Sequence, residues 1–244
     1  MLIAGRQSFG GITSNLPKSL KIWLNGKDNG GRGIHLQSSD SWVNLADNGH
    51  SFVRSSNTTQ FSSNWESDCA LFTDRTQRQS FICSNWSMDF LGASYTFIVK
   101  CMPQSGYFSN YSGIFGCHPN GIVGFQYENG VCGCALFNEG ILDVGASIRV
   151  PADRLSLDEV HILAYTESPT SISIYVDDSF YETKSFEECD TRIINPIIVG
   201  RGATTTSPNI GDNREFVGKI YDFKAFNECF DYGMVRKLME TAKD

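Results

Sequence analysis

Ser171-Ile172-Ser173-Ile174-Tyr175-Val176-Asp177-Asp178 carries Ile172, Ile174 and Val176 on one face of an extended chain and Ser171, Ser173 and Tyr175 on the other. Successive side chains of a strand point to opposite sides, so this is a strand with one face on a core. Residues 159–166 (EVHILAYT) read as its partner, joined to it through Glu167-Ser168-Pro169-Thr170. Working outward, residues 94–101 (SYTFIVKC), 112–116 (SGIFG), 121–127 (GIVGFQY) and 131–137 (VCGCALF) are further short apolar runs, followed downstream by 193–201 and 216–226. Asn129-Gly130 lies between two of these runs. Both residues tolerate positive φ, so a hairpin is predicted there. The spacing of runs and turns predicts an antiparallel β-sandwich.

After Asp231, an N-cap residue, Met234, Val235, Leu238 and Met239 recur at helical spacing. They predict a short terminal helix packed on the sandwich edge. Towards the N-terminus, residues 20–24 (LKIWL) read as a strand, and the Gly-, Asn-, Asp- and Ser-rich stretch 25–48 is anchored by Trp42. Residues 51–85 alternate more weakly. No Pro/Ser-rich linker or internal repeat divides the chain, which is read as a lead-in of residues 1–19 and one domain of residues 20–244.

Composition agrees. The chain has 244 residues, 41% hydrophobic, 12% aromatic and 19% charged, with 23 glycines. By size scaling, about 70% of the unfolded surface is buried, so disulfide or metal staples are unnecessary. Twenty basic against 27 acidic residues leave a net charge of −7. Nucleic acid and anionic membranes recruit clustered Lys and Arg, so neither is an expected partner. The apolar stretch at the start is too short for a signal peptide, and no window reaches the roughly 18 apolar residues of a membrane span. Cytoplasmic synthesis is expected, with association with a virion as one destination. The eight cysteines lack zinc-ligand spacing, and Cys132-Gly133-Cys134 lacks the two-residue spacer of a redox pair. They are read as reduced, core-filling thiols.

The run from Glu159 to Phe226 resembles a known family. Residues 159–166, then 171–178, then Ile198-Val199-Gly200-Arg201, then Phe216-Val217-Gly218-Lys219-Ile220-Tyr221-Asp222-Phe223 resemble the closing strands of laminin-G-like, concanavalin A-like lectin and glucanase domains. Two positions depart from that pattern: Asp178 replaces the hairpin glycine, and His161 has no preceding tryptophan. Trp23-Leu24-Asn25-Gly26-Lys27-Asp28-Asn29-Gly30 and Trp42-Val43-Asn44-Leu45-Ala46-Asp47-Asn48-Gly49 are similar to the opening of such domains from phages, prophages and gut bacteria. The resemblance implies an all-β, two-sheet jelly roll with a short C-terminal helix. One sandwich of this kind hosts sugar binders, glycosidases, adhesion modules and spacers.

Glycosidases of this fold align paired carboxylates on alternating positions of one strand. No Glu-x-Asp-x-Glu is present, and Glu187-Glu188-Cys189-Asp190 and Asp158-Glu159 are consecutive acids that a strand would send to opposite faces. Catalytic residues are therefore not assigned. No cofactor is required, but the resemblance implies a calcium ion held by oxygen ligands, with Asp47 and Asp222 as the residues carried over. Turn formation by Asp and Asn is the other reading of the same residues. Tyr107, Tyr111, Tyr127 and Asn138 are the candidate glycan contacts, since sugars need aromatic faces and amide partners. The leading expectation is a non-enzymatic recognition module for a glycan or a protein partner. A spacer or assembly domain of a phage tail, partnered with its own copies as a homo-oligomer, is the alternative, and a glycoside hydrolase the third.

Overall fold

A computed structural model describes residues 16–47, 50–55, 65–72, 80–83, 88–90, 94–104, 112–119, 122–128, 131–138, 141–142, 148–150, 153–185, 192–200 and 216–243. In chain order its strands are β1 (Leu20–Asn25), β2 (Ser41–Val43), β3 (Ser51–Ser55), β4 (Ala70–Phe72), β5 (Ser80–Cys83), β6 (Met88–Phe90) and β7 (Tyr95–Pro103). Then come β8 (Ser112–Gly113), β9 (Phe115–Pro119), β10 (Ile122–Glu128), β11 (Val131–Asn138), β12 (Ile141–Leu142) and β13 (Ile148–Val150). The last are β14 (His161–Ser168), β15 (Ser171–Val176), β16 (Ser179–Ser185), β17 (Arg192–Val199) and β18 (Gly218–Phe226), before the helix α1 (Tyr232–Glu240).

The molecule is an all-β sandwich with one C-terminal helix, as the strand spacing predicts. A seven-stranded sheet runs β1-β18-β7-β14-β15-β16, with β4 also paired to β18. The opposing strands form two hydrogen-bonded sets, β2-β3-β5-β17-β6 with β9, and β12-β11-β10-β8 with β13. All the strand pairings are antiparallel. One hydrophobic cluster draws on all three sets: Ile22, Phe97, Leu163 and Phe223 from the first, Trp42, Phe81 and Val199 from the second, Ile148 and Val150 from the third. Each fully buried side chain of this size contributes about 1.5–3 kcal/mol.

The β14–β15 pair forms as read, with Ser168 opposite Ser171 across a two-residue turn. Ile172, Ile174 and Val176 enter the main core. The predicted β10–β11 hairpin also closes, with Glu128 opposite Val131. At the β15–β16 turn, Asp177 and Asp178 both have positive φ, 48° and 68°. Two such residues make the tight turn whose twist suits a hairpin, and aspartate tolerates this region where most residues do not. Asp178 thus does the work of the glycine it replaces in the resembled pattern. Gly200, by contrast, is required: its φ is +86°, and a Cβ there would lie 2.1 Å from Phe72 Cε1.

The helix departs from its expected position. Asp231 caps it, its side chain accepting from Met234 N at 2.8 Å. Val235, Leu238 and Met239 pack on Ile98, Ile162, Ala164, Tyr175 and Phe226, so the helix covers the outer face of the seven-stranded sheet rather than an edge. The face exists because the outward side of β7, β14 and β18 is itself apolar over these residues. In the Asn- and Asp-rich stretch, the side chains build the turns. Asn29 Oδ1 accepts from Leu36 N at 2.7 Å, Asp28 Oδ1 from Ile34 N at 3.0 Å, and buried Asn44 accepts from Trp23 N at 2.8 Å. Trp42 is fully buried, edge-on to Trp65 at 5.1 Å, and its indole N–H reaches Asn25 O at 3.0 Å. Cys69, Cys83 and Cys101 are buried thiols, and Cys229 is a half-buried one.

Candidate functional site

Among the sequence-selected residues, Asp222 has the best-defined surroundings. It sits on β18 beside β1, 4% exposed. Its Oδ1 accepts from the Trp23 indole N–H at 2.8 Å and from Asn25 Nδ2 at 3.2 Å, and its Oδ2 from the Lys224 ammonium. Lys224, 1% exposed, also lies over the Trp23 ring at 5.4 Å. Both oxygens are therefore committed to donors, and one donor is already a cation. This arrangement does not fit a calcium ion, which would compete with Lys224 for the same oxygens. A small cavity of about 30 Å³ opens next to it between Lys27, Asp68, Lys100, Tyr221 and Thr241. That space suits a water molecule or two, not a sugar ring. Asp47 lies elsewhere, paired through Oδ2 with His50 Nδ1 at 2.5 Å.

Glu66, Asp68 and Cys69 bring three metal-type ligand atoms within 4.8 Å of one another. Burial, then the neighbouring Glu66 and Asp68, push the Cys69 thiol up to about 12, so it stays protonated. Lys219 donates to Glu66 at 2.7 Å. Glu66 is thus already engaged by a cation of the protein's own.

A Ser-His-Asp arrangement that spacing alone does not reveal forms where β14 starts. His161 Nδ1 faces Asp177 Oδ2 at 2.7 Å, and Nε2 lies 3.2 Å from Ser156 Oγ. The hydrogen bond to Asp177 raises the His161 pKa against the opposing effect of burial. For Asp177, burial pushes upward, but hydrogen bonds from His161 and the Ile162 N–H outweigh it and hold the carboxyl below its usual range. Nε2 also lies 3.0 Å from the Ser156 carbonyl, which can only accept, so a proton on Nε2 has its partner there rather than on the serine hydroxyl. Ser156 Oγ gives its own proton to Glu159 at 2.5 Å. A general base must present an unprotonated Nε2 to the serine hydroxyl. Here neither the ring nor the hydroxyl is set for that exchange, and the group clamps the loop before β14 to the β15–β16 turn.

The remaining feature is a face built by that hairpin and α1. A register shift between Ile174 and Tyr175 sets Phe180 opposite Tyr175. Tyr175 meets Phe180 edge-on at 5.7 Å and stacks on Tyr232 of α1 at 5.8 Å with an interplanar angle of 8°. Tyr175 is buried beneath them, whereas Phe180 and Tyr232 are 51% and 45% exposed. Further along the same outward side, Ser173 Oγ and Thr183 Oγ1 are bonded at 2.6 Å. The placement of Tyr175 on the polar side of an alternating strand is the signal in the sequence that marks this face. Phe180 and Tyr232 carry no such signal.

Of the predicted glycan contacts, Tyr127 is on β10, opposite Ser112 and Cys132, and Asn138 ends β11 opposite Ile141. The backbone thus brings both into one five-stranded set; their side chains, and Tyr107 and Tyr111 altogether, lie outside the described residues. No helix among the described residues is long and apolar enough to cross a membrane.

Neither a protein-family model nor a curated protein sequence matches this chain. Solved structures do. The binding domain of botulinum neurotoxin serotype D matches with a TM-score of 0.61 at 13% identity, over 91% of this chain and 52% of that one. A botulinum neurotoxin type C structure, from work tying cell entry to interaction with two ganglioside molecules, matches with a TM-score of 0.59 at 15% identity, over 94% and 52%. The binding domain of botulinum neurotoxin DC in complex with rat synaptotagmin II matches with 0.59 at 14%, over 91% and 51%. This chain spans about half the length of each. Identities this low speak to fold alone, and the fold is a β-sandwich found in receptor-binding domains.

Proposed function

We propose that this chain is a non-enzymatic recognition domain that engages a glycan or a protein surface. The observation that supports this best is the agreement over more than nine-tenths of its length with domains whose work is receptor binding. The laminin-G-like motifs of residues 159–226 support the same use of a sandwich, as a rigid frame presenting a surface. The Ser156-His161-Asp177 group is consistent with it, because the Ser156 hydroxyl donates to Glu159 rather than to His161. Because the match covers half of each neighbour, their ganglioside and synaptotagmin contacts do not come over with the fold. The ligand is read from this chain's own surface.

A glycan array carrying gangliosides and neutral mucosal and bacterial polysaccharides, run with and without calcium beside panels of receptor ectodomains, tests the reading. Saturable binding to a defined subset is expected, with no release of reducing ends from bound glycans. A flat response across every glycan and protein, or reducing-end release, overturns it.

A further inference from the structure

We infer that the outward face of the β15–β16 hairpin, flanked by the first turn of α1, is a binding site for an uncharged pyranose sugar. The inference rests on the recognition reading and assigns that reading a place and a ligand class. Phe180 and Tyr232 are the two aromatics among the exposed large apolar side chains of the described residues, and they flank one buried ring, Tyr175. Most aromatic side chains among the described residues are buried, so two half-exposed rings flanking Tyr175 leave an apolar surface next to polar groups. A pyranose has the complementary surface, an apolar C–H face bounded by hydroxyls. Ring stacking takes the first, and hydrogen-bond partners take the second.

Those partners surround the rings. Asp178 follows Asp177 in the turn and bonds through Oδ2 with the Lys243 ammonium. Its Oδ1 is buried and has no hydrogen-bond partner among the described residues. That oxygen is closed off from the surface, and what a sugar hydroxyl can reach is the remainder of the carboxylate, whose side chain is 23% exposed. Tyr232 Oη donates to the Asp178 carbonyl at 3.2 Å, which ties the ring to the turn carrying that oxygen. Ser173 and Thr183 supply two more exposed hydroxyls along the strands. Charge selects the sugar class. Asp177, Asp178 and Asp231 lie around the rings; Lys243 is bonded to Asp178, His161 to Asp177, and exposed Arg236 stands one turn along α1 from Tyr232. Those three acids outnumber Lys243 and Arg236, the two lysine and arginine cations set beside them among the described residues, so a neutral hexose is favoured over a sialylated or phosphorylated one.

The test is an aromatic-region NMR titration of the full chain with methyl β-galactoside, methyl β-glucoside, N-acetylglucosamine and sialyllactose. Ring signals of Phe180 and Tyr232 are expected to move saturably with at least one neutral sugar and less with sialyllactose. Tyr232→Ala and Phe180→Ala should each weaken binding about tenfold, while Tyr232→Phe, which keeps the ring, should bind nearly as wild type. Both alanine variants remove exposed side chains, and a thermal melt confirms that they stay folded. Shifts confined to other residues overturn the location while leaving the recognition reading intact. A preference for sialyllactose overturns the charge class. Absence of binding by every sugar, when the array or ectodomain panel is positive, overturns the ligand class; when those panels are flat too, the recognition reading falls with it. A dimer in light scattering that Tyr232→Ala dissolves makes this face a contact between copies and overturns the site.

Discussion

Asp222 and Lys224 lie two residues apart on β18 and are 4% and 1% exposed. Removing one member strands the other's charge in a low-dielectric interior, whereas replacing both by apolar residues of similar volume removes the desolvation cost as well. Asp222→Asn is therefore expected to cost about 3 kcal/mol in urea unfolding, and the Asp222→Leu/Lys224→Met double variant to regain most of it. A double variant as unstable as the single one would contradict this account. His161 and Asp177 are exposed to pH instead. The His161 pKa is raised in the folded chain, so its stabilisation is complete below the unfolded value near 6.5 and is lost as pH rises through the folded value. Asp177 is lowered, so its share is present above the usual carboxylate range and fades as pH falls through the folded value. Melting temperature should therefore decline as pH rises from about 6.5 through the folded His161 value, and decline less in Asp177→Asn, which keeps an acceptor for the Ile162 N–H but loses the charge that faces the imidazole. Equal slopes in the two proteins would remove the pair from the explanation. At this scale little was legible in the sequence. The calcium expectation at Asp222 comes by position from the family resemblance, whereas its indole, amide and ammonium partners come from a strand brought alongside by folding and from its own strand.

Strands with one face on the core were the elements most easily read. β14, β15, β17 and β18 carry unbroken apolar runs or clean alternation, and the structure places them within two residues of the expected bounds. β16 was missed because its side chains are mostly half-exposed or exposed, and the register shift opposite Tyr175 interrupts its period. The helix was legible through its cap and stripe, but its seat was not, because a stripe says that a face is buried and not against what. Asp231→Ala should lower stability by about 1 kcal/mol by leaving the Met234 N–H without its acceptor, and a thermal melt reads this directly. Gly200 follows β17 and connects it to β18's lead-in, its N–H bonded to Ile114 O at 2.7 Å and its carbonyl accepting from Phe216 N at 2.9 Å. Gly200→Ala forces both an unfavourable φ and a clash with Phe72. It should cost about 2–4 kcal/mol, and a loss under 1 kcal/mol in urea unfolding would mean that the Phe72 ring moves aside freely.

For the whole molecule, the net charge of −7 and the excess of acids over cations around the aromatic face predict recognition of a neutral ligand with little electrostatic steering. Affinity for a neutral glycan should change less than about twofold between low and physiological salt, whereas a phosphate- or sialate-directed site would weaken much more. Isothermal titration at two ionic strengths decides between them. The sequence by itself determined the fold class, the core face of the main strands, two hairpins and a capped terminal helix. All of these depend on residues within one or two turns of chain or on a repeat of period two. Only the tertiary structure decided what the side chains do. Trp23 and Asp222 are 199 residues apart, Ser156, His161 and Asp177 meet through pairing of β14 with β15, and Phe180, Tyr175 and Tyr232 form one row because a bulge and a docked helix set them there. Such contacts depend on strand register and on where a helix lands, and neither is written into any local pattern of residues.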